Sequence, residues 1–263
     1  MHFFKLKEIS LTSFERYNFK MPFTFSHPAI ILPLRYLPGK WFSLTGLIIG
    51  SLTPDFEYFI RMKVQSNYSH TSYGIFWFDL PLATLICFAF HNIVRNNLYK
   101  NLPKEIQSRT LVYTEFNWNI YFKKNWSIVL ISILIGISSH IFWDSFTHDH
   151  GYFVNNISFL RNSISVYNHE IPVLKIAQHL STFIGAIILF IAILKLPKNN
   201  IAVYSVSKTY WLTLIIFAAI IIALRFLTGL NHIAYGHIIV SVISAFLIAF
   251  IITPLFMKLK INS

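Results

Sequence analysis

The sequence predicts an all-α fold: a polytopic integral membrane helical bundle of five long transmembrane helices plus a proline-broken pair of short ones. Three observations predict it. The 263-residue chain is 55% hydrophobic and carries 26 Phe and 13 Tyr, with a mean hydropathy of +0.56. Only 12% of residues are charged, about half the share of a soluble domain. Five apolar runs are long enough, or nearly so, to cross a hydrocarbon core of about 30 Å. A soluble chain of this length could not easily bury so much apolar surface.

The elements follow in order. Residues 1–20 mix charges into every few positions and contain no apolar core of a cleavable signal. They read as an extension ahead of a single membrane-embedded domain, 21–263. Residues 29–53 are apolar but broken by Pro33 and Pro38, with Pro28 just ahead. Proline interrupts a helix, so two short helices are expected, about 28–37 and 41–52. The long spans are expected at 75–94, 127–147, 176–196, 209–228 and 237–257. The polar connection 95–126 reads as a partly helical loop. No internal repeat and no low-complexity tract is visible.

Charge sets the orientation. The formal net charge of +12 would suit nucleic acid, but the basic residues lie between apolar runs, which fits membrane topology instead. The expected partner is the lipid bilayer, with no nucleic acid. Arg95, Lys100, Lys104, Arg109, Lys123, Lys124, Lys195, Lys198, Lys208, Lys258 and Lys260 fall on one side, eleven in all. Arg61, Lys63, Arg161, Lys175 and Arg225, five in all, fall on the other. The richer side faces the cytoplasm by the positive-inside rule. That places the C-terminus in the cytoplasm of a multi-pass cell-membrane protein, with 54–74 and 148–175 outside. The single cysteine, Cys87, excludes an intrachain disulfide and a CxxC-type metal site.

The chemistry concentrates where an oily run meets "SSHIFWDSFTHDHG" (138–151). His140, Asp144 and His148 are spaced at i, i+4 and i+8, so on a helix they share one face. Each step rises about 6 Å, too far for one ion to take all three at bond lengths of about 2.0–2.2 Å. Either Asp144 and one His serve a single ion, or Asp144 bridges two. Candidate partners on the same side are Asp55, Glu57, His70 and His179. Imidazole plus carboxylate suits zinc best among divalent metals, with manganese or iron as further options. A charge within the bilayer costs roughly 2.5–3.5 kcal/mol, so Asp144 requires a partner of some kind.

Plainer readings exist for single residues. His91, His232 and His237 can simply bond neighbouring helices. Asp79 suits the first turn of a helix, and Asp55 can cap one. Glu57 can pair with Arg61 four residues on. Asp149 and His150 read as loop residues. Phe56, Tyr58, Phe76 and Trp77 read as an interfacial aromatic belt. No Gly-rich phosphate loop and no GxSxG elbow is present.

The blocks "MPFTFSHPAIILPL", "GSLTPDFEYFIRM", "SHTSYGIFWFDLPLA", "HIFWDSFTHDHG" and "LKIAQHLSTFIG" together resemble the membrane-protein family domain of unknown function 4184, from Met21 to about Ile187. More remotely, an early His, then Pro-Asp, then Ser-His, then His-x-x-x-Asp-x-x-x-His is similar to the predicted membrane-bound metal-dependent hydrolases. That likeness implies His27, Asp55, His70, His140, Asp144 and His148 as metal-site positions. This chain departs from the pattern by continuing as Asp149-His150-Gly151. The resemblance also implies a start at Met21.

His27 makes the path of 29–53 decisive. A single span would leave His27 about 30 Å from Asp55. A re-entrant hairpin would bring it back, although the basic N-terminus argues against one. The expected function is hydrolysis of a phosphoester or lipid substrate at a zinc-type site near the outer face, with Glu57 as general base. The rivals are a transporter or ion-coupled channel using Asp144, Asp79 and His91, and a structural protein whose polar groups join helices.

Overall fold

The computed structural model describes residues 24–38, 41–149, 151–166, 169–228 and 235–262. The extension 1–20 and the candidates His150 and His232 lie outside them. Five helices are long and apolar enough to cross a membrane: Ser72–Asn101, Trp118–Asp144, Val173–Leu194, Lys208–Leu227 and Tyr235–Leu259. The expected all-α bundle is therefore present. Its one small departure is an antiparallel pair of strands, β1 (Ser163–Val166) and β2 (His169–Pro172).

The proline-broken pair forms as α1 (Pro28–Ile31), which continues as a 3-10 turn over Leu32–Tyr36, and α2 (Leu44–Leu52). The Ser43 hydroxyl caps α2 by accepting from the Gly46 N–H. A 3-10 turn over Thr53–Asp55 then leads into α3 (Phe56–Arg61). The first long helix, α4 (Ser72–Asn101), contains two π-turns, Ile75–Asp79 and Phe90–Val94. The connection expected as a partly helical loop is partly helical: α4 runs on to Asn101, and α5 follows over Lys104–Thr110. The second long helix, α6 (Trp118–Asp144), begins earlier than its apolar run because Asn117 caps it, and it kinks at Asn125. It ends at Asp144 rather than continuing through His148.

The hairpin closes on itself. Thr24 Oγ1 donates to Asp55 Oδ2 at 2.6 Å, which excludes a single span over 29–53. Between these ends the chain descends alongside α6: the Ser43 N–H donates to Ser132 Oγ at 2.8 Å. Ser132 is twelve residues before Asp144, about 18 Å along the helix. Buried backbone at such depth is tolerated because protein surrounds it.

Glycine makes this packing possible. A Cβ on Gly50 would collide with the Ile133 carbonyl, and one on Gly136 with the Leu47 carbonyl. With hydrogen at those positions, α2 and α6 approach backbone to backbone, as small-residue helix contacts in membranes do. Ala83, Cys87, Val129, Ile133 and Ile137 form a fully buried apolar cluster beside them. Beyond α6 come the short α7 (Tyr152–Asn156) and α8 (Ser158–Arg161) and the third span, α9 (Val173–Leu194); the last two spans, α10 (Lys208–Leu227) and α11 (Tyr235–Asn262), pack on each other through Tyr210, Leu214, Ala218, Ala245 and Ala249.

Candidate metal centre

Five elements deliver the polar cluster. His27 precedes α1, Asp55 ends the 3-10 turn after α2, His70 precedes α4, His140 and Asp144 occupy the last turns of α6, and His148 follows in the turn. Sequence separations of up to 121 residues vanish in space. One ligand atom each from Asp55, His70, His140 and Asp144 lies within 4.8 Å of all the others, a grouping that can hold a metal ion.

The distances favour ligation over direct hydrogen bonding. His140 Nε2 lies 3.2 Å from Asp144 Oδ2 and 3.6 Å from Asp55 Oδ1. His70 Nε2 lies 3.5 Å from Asp144 Oδ2 and 3.8 Å from Asp55 Oδ1. Most of these exceed the 2.7–3.2 Å range of an N–H···O bond. They bracket the spacing of neighbouring ligands around one ion: bonds of about 2.0–2.2 Å in a tetrahedron put ligand atoms roughly 3.3–3.6 Å apart. His140 Nε2 and Asp144 Oδ1 are buried without a hydrogen-bond partner among the described residues. Such groups are costly when left unsatisfied.

Outer contacts orient these side chains. His140 Nδ1 sits 2.8 Å from the Ser51 carbonyl oxygen. In the neutral ring, donation from Nδ1 there would turn the Nε2 lone pair toward the carboxylates, as in histidines that bind a metal. The Thr24 hydroxyl occupies Asp55 Oδ2 and so leaves Oδ1 for the cluster. His70 Nδ1 is within 3.3 Å of the Ser66 and Ser69 hydroxyls, and the ring stacks with Tyr58.

His27 and His148 approach from the other side of Asp144. His27 Nε2 is 3.7 Å and His148 Nδ1 3.6 Å from Asp144 Oδ1. Burial first, and then the neighbouring His140 ring, lowers the His27 pKa to about 4, which favours its neutral form. The cluster opens at its edge: the side chains of His70 and His148 are 27% and 29% exposed, while those of His27 and His140 are 1% and 0%.

Other expectations change. Asp55 precedes α3, but its side chain makes no cap hydrogen bond. Glu57, the expected general base, has both carboxylate oxygens filled by hydrogen bonds. Its Oε1 accepts from Arg61 Nε at 2.8 Å and the Asn67 N–H at 2.9 Å. Its Oε2 accepts from the Ser66 hydroxyl at 3.0 Å and the Tyr68 and Ser69 N–H groups at 2.9 Å. Burial alone would raise its pKa, but these donors outweigh it and hold the carboxyl at about 2. Its place is to shape the 66–69 loop that presents His70. The i,i+4 pairing with Arg61 forms at 2.7 Å, as one part of that network.

His179 is exposed on its helix and forms no part of the ligand group. Asp149 is likewise exposed. His237 Nδ1 accepts from the Val64 N–H at 3.0 Å, and His91 bonds Thr45 and Arg95 and stacks on Trp118. Both thus bond neighbouring segments. Asp79 was expected in a first helical turn; it lies instead in a π-turn, fully buried, with neither oxygen partnered among the described residues. No sequence signal marks that π-turn.

Fold and cluster together define a multi-pass membrane helical protein with a buried His/Asp group able to hold a metal ion. The chain belongs to the family described as domain of unknown function (DUF4184), whose model matches residues 21–255. That match extends past the blocks ending near Ile187 and takes in the last two spans. No curated protein and no solved structure matches the chain.

Proposed function

We propose that the protein is a membrane-bound, metal-dependent hydrolase with its site near the outer face of the cell membrane. The observation that carries this is the convergence of Asp55, His70, His140 and Asp144 at ligand-to-ligand spacing. His27 and His148 complete the ligand set. Zinc suits neutral imidazole and carboxylate donors best. Such an ion, when bound, lowers the pKa of water from 15.7 to about 7 and polarises an ester oxygen. The chain's own part is to hold the donors rigid, to exclude water behind them, and to admit substrate past His70 and His148.

A phosphoester, or the phosphate ester of a lipid headgroup, is the substrate class. Exposed Tyr68, Tyr73, Phe76, Trp77 and Tyr152 come from the segments around the cluster, and aromatic belts sit at headgroup depth. The surplus of Lys and Arg at the opposite end supports an outward site and a cytoplasmic C-terminus.

Transport is less well supported. Asp79, Ala83, Cys87 and His91 follow at i+4 steps along one face of α4. Ala83 and Cys87 are fully buried against Val129, Ile133 and Ile137, so apolar packing separates Asp79 from His91. The cluster thus opens at His70 and His148, with apolar packing between Asp79 and His91.

The test is hydrolysis of p-nitrophenyl phosphate, bis(p-nitrophenyl) phosphate and a vesicle phospholipid by the purified full-length protein. At least one should be cleaved, with loss of activity on chelation and in Asp55→Asn. Cleavage of none, or cleavage indifferent to chelator, contradicts the proposal.

A further inference from the structure

The two oxygens of Asp144 face different histidine pairs. Oδ2 faces His140 and His70, at 3.2 and 3.5 Å. Oδ1 faces His148 and His27, at 3.6 and 3.7 Å. The second set shares no nitrogen with the first. Its two buried members share the signature: His27 Nε2 and Asp144 Oδ1 lack a hydrogen-bond partner among the described residues, while His148 Nδ1 also lies 3.3 Å from the Thr147 hydroxyl and from the Asp144 carbonyl oxygen. The His27 side chain is 1% exposed. Leaving such atoms bare inside a protein costs free energy that a ligand would recover.

Ring geometry adds an independent observation. The His27 and His140 rings stack with centroids 3.9 Å apart and planes 23° from parallel. These neighbouring imidazoles offer Nε2 toward different Asp144 oxygens. Ions in two-metal hydrolytic sites sit about 3.5–4 Å apart.

We propose that His27, Asp144 and His148 hold a second divalent cation, bridged by the Asp144 carboxylate to a first held by Asp55, His70, His140 and Asp144. This rests on reading the cluster as a metal centre and goes beyond it by assigning number and roles. Four protein ligands fill a tetrahedral zinc site, whereas catalytic sites keep a position open. The first position is therefore complete, and the second, with three protein ligands, is the one with room for a non-protein ligand. It includes His148, one of the two cluster histidines at the opening. The turn after α6 keeps His148 beside Asp144: the His148 N–H donates to the Asp144 carbonyl at 3.0 Å, and its Nδ1 lies 3.6 Å from Oδ1.

Metal content and spin coupling test the assignment without reference to activity. Full-length protein in detergent is loaded with Zn²⁺, freed of excess by gel filtration and measured by mass spectrometry. Wild type should hold two ions per chain and His148→Ala one; His148 is partly exposed, so its truncation leaves the core packed. In wild type loaded with Mn²⁺, electron paramagnetic resonance should show an exchange-coupled pair, and in His148→Ala an isolated six-line signal. One ion in wild type, or two in His148→Ala, overturns the second position while the metal centre stands. No ion in wild type overturns the metal centre itself.

Discussion

The hairpin with α4 and α6, and the closing pair α10 and α11, solve the same packing problem differently. Around the hairpin, backbones meet through Gly46, Gly50 and Gly136. Buried polar side chains are dense there: Ser51, Thr53, Asp55, Glu57, Ser69, Asp79, Ser132 and His140 are all at most 2% exposed. In the closing pair, Tyr210, Leu214 and alanines pack side chain to side chain. Its buried polar groups are fewer, and two of them attach the pair to the hairpin side: Ser244 Oγ donates to the Phe59 carbonyl and Ser241 Oγ to that of Met62. Between membrane helices no hydrophobic drive distinguishes partners. Close glycine contacts and polar bonds therefore give fixed geometry where a site needs it, and apolar packing suffices where none is needed.

Changes inside the cluster should break the contrast most severely. His140→Ala and Asp144→Ala each remove a ligand from the buried group, so metal affinity should fall by more than about 100-fold, beyond the 10–100-fold typical of an outer-contact loss. Titration with a zinc-competing dye checks this. Gly50→Ala should come next. Its Cβ meets backbone on the facing helix, which cannot swing away, so thermal stability and metal content should fall together. An overpacking change in the closing pair, Ala245→Leu, should cost about 1–3 kcal/mol with metal content per folded chain unchanged. Equal metal loss in both variants would erase the distinction between the two regions.

The loop carrying His70 offers a pH test. The folded Glu57 pKa of about 2 lies below its ordinary value of about 4.3. Glu57 therefore adds stability above about pH 4.3, and that contribution is lost as pH falls toward 2. At about 1.4 kcal/mol per pKa unit, it is worth on the order of 3 kcal/mol at neutral pH. Glu57→Gln should lower the thermal midpoint at pH 7 and flatten the acid limb between pH 5 and 2. An unchanged acid limb would show that the 66–69 loop does not depend on its charge. Smaller still, Thr24→Val frees Asp55 Oδ2 and should weaken metal binding by about 10-fold. His179→Ala should change nothing, because that side chain is exposed and outside the cluster.

The sequence makes these regions unequally legible. Five spans read out because a long apolar run has one solution in lipid. His140 and Asp144 read out because an i,i+4 pair at the end of such a run is costly without a partner. The helix end at Asp144, the π-turn at Asp79 and the kink at Asn125 left no mark of residue type or spacing. The role of Glu57 was hidden for a related reason: proximity to Asp55 along the chain says nothing of the loop amides, ten to twelve residues on, that fill its oxygens. The hairpin was open to two readings because prolines permit a reversal without requiring one. The Thr24–Asp55 hydrogen bond and the glycine contacts settle it.

X-ray absorption at the zinc edge of the purified, zinc-loaded protein tests the centre most directly. A nitrogen and oxygen shell at about 2.0–2.1 Å with outer scattering from at least two imidazole rings is the result expected, and the imidazole component should diminish in His140→Ala. A zinc spectrum without imidazole scattering, or one identical in wild type and His140→Ala, would contradict a metal centre built from these residues.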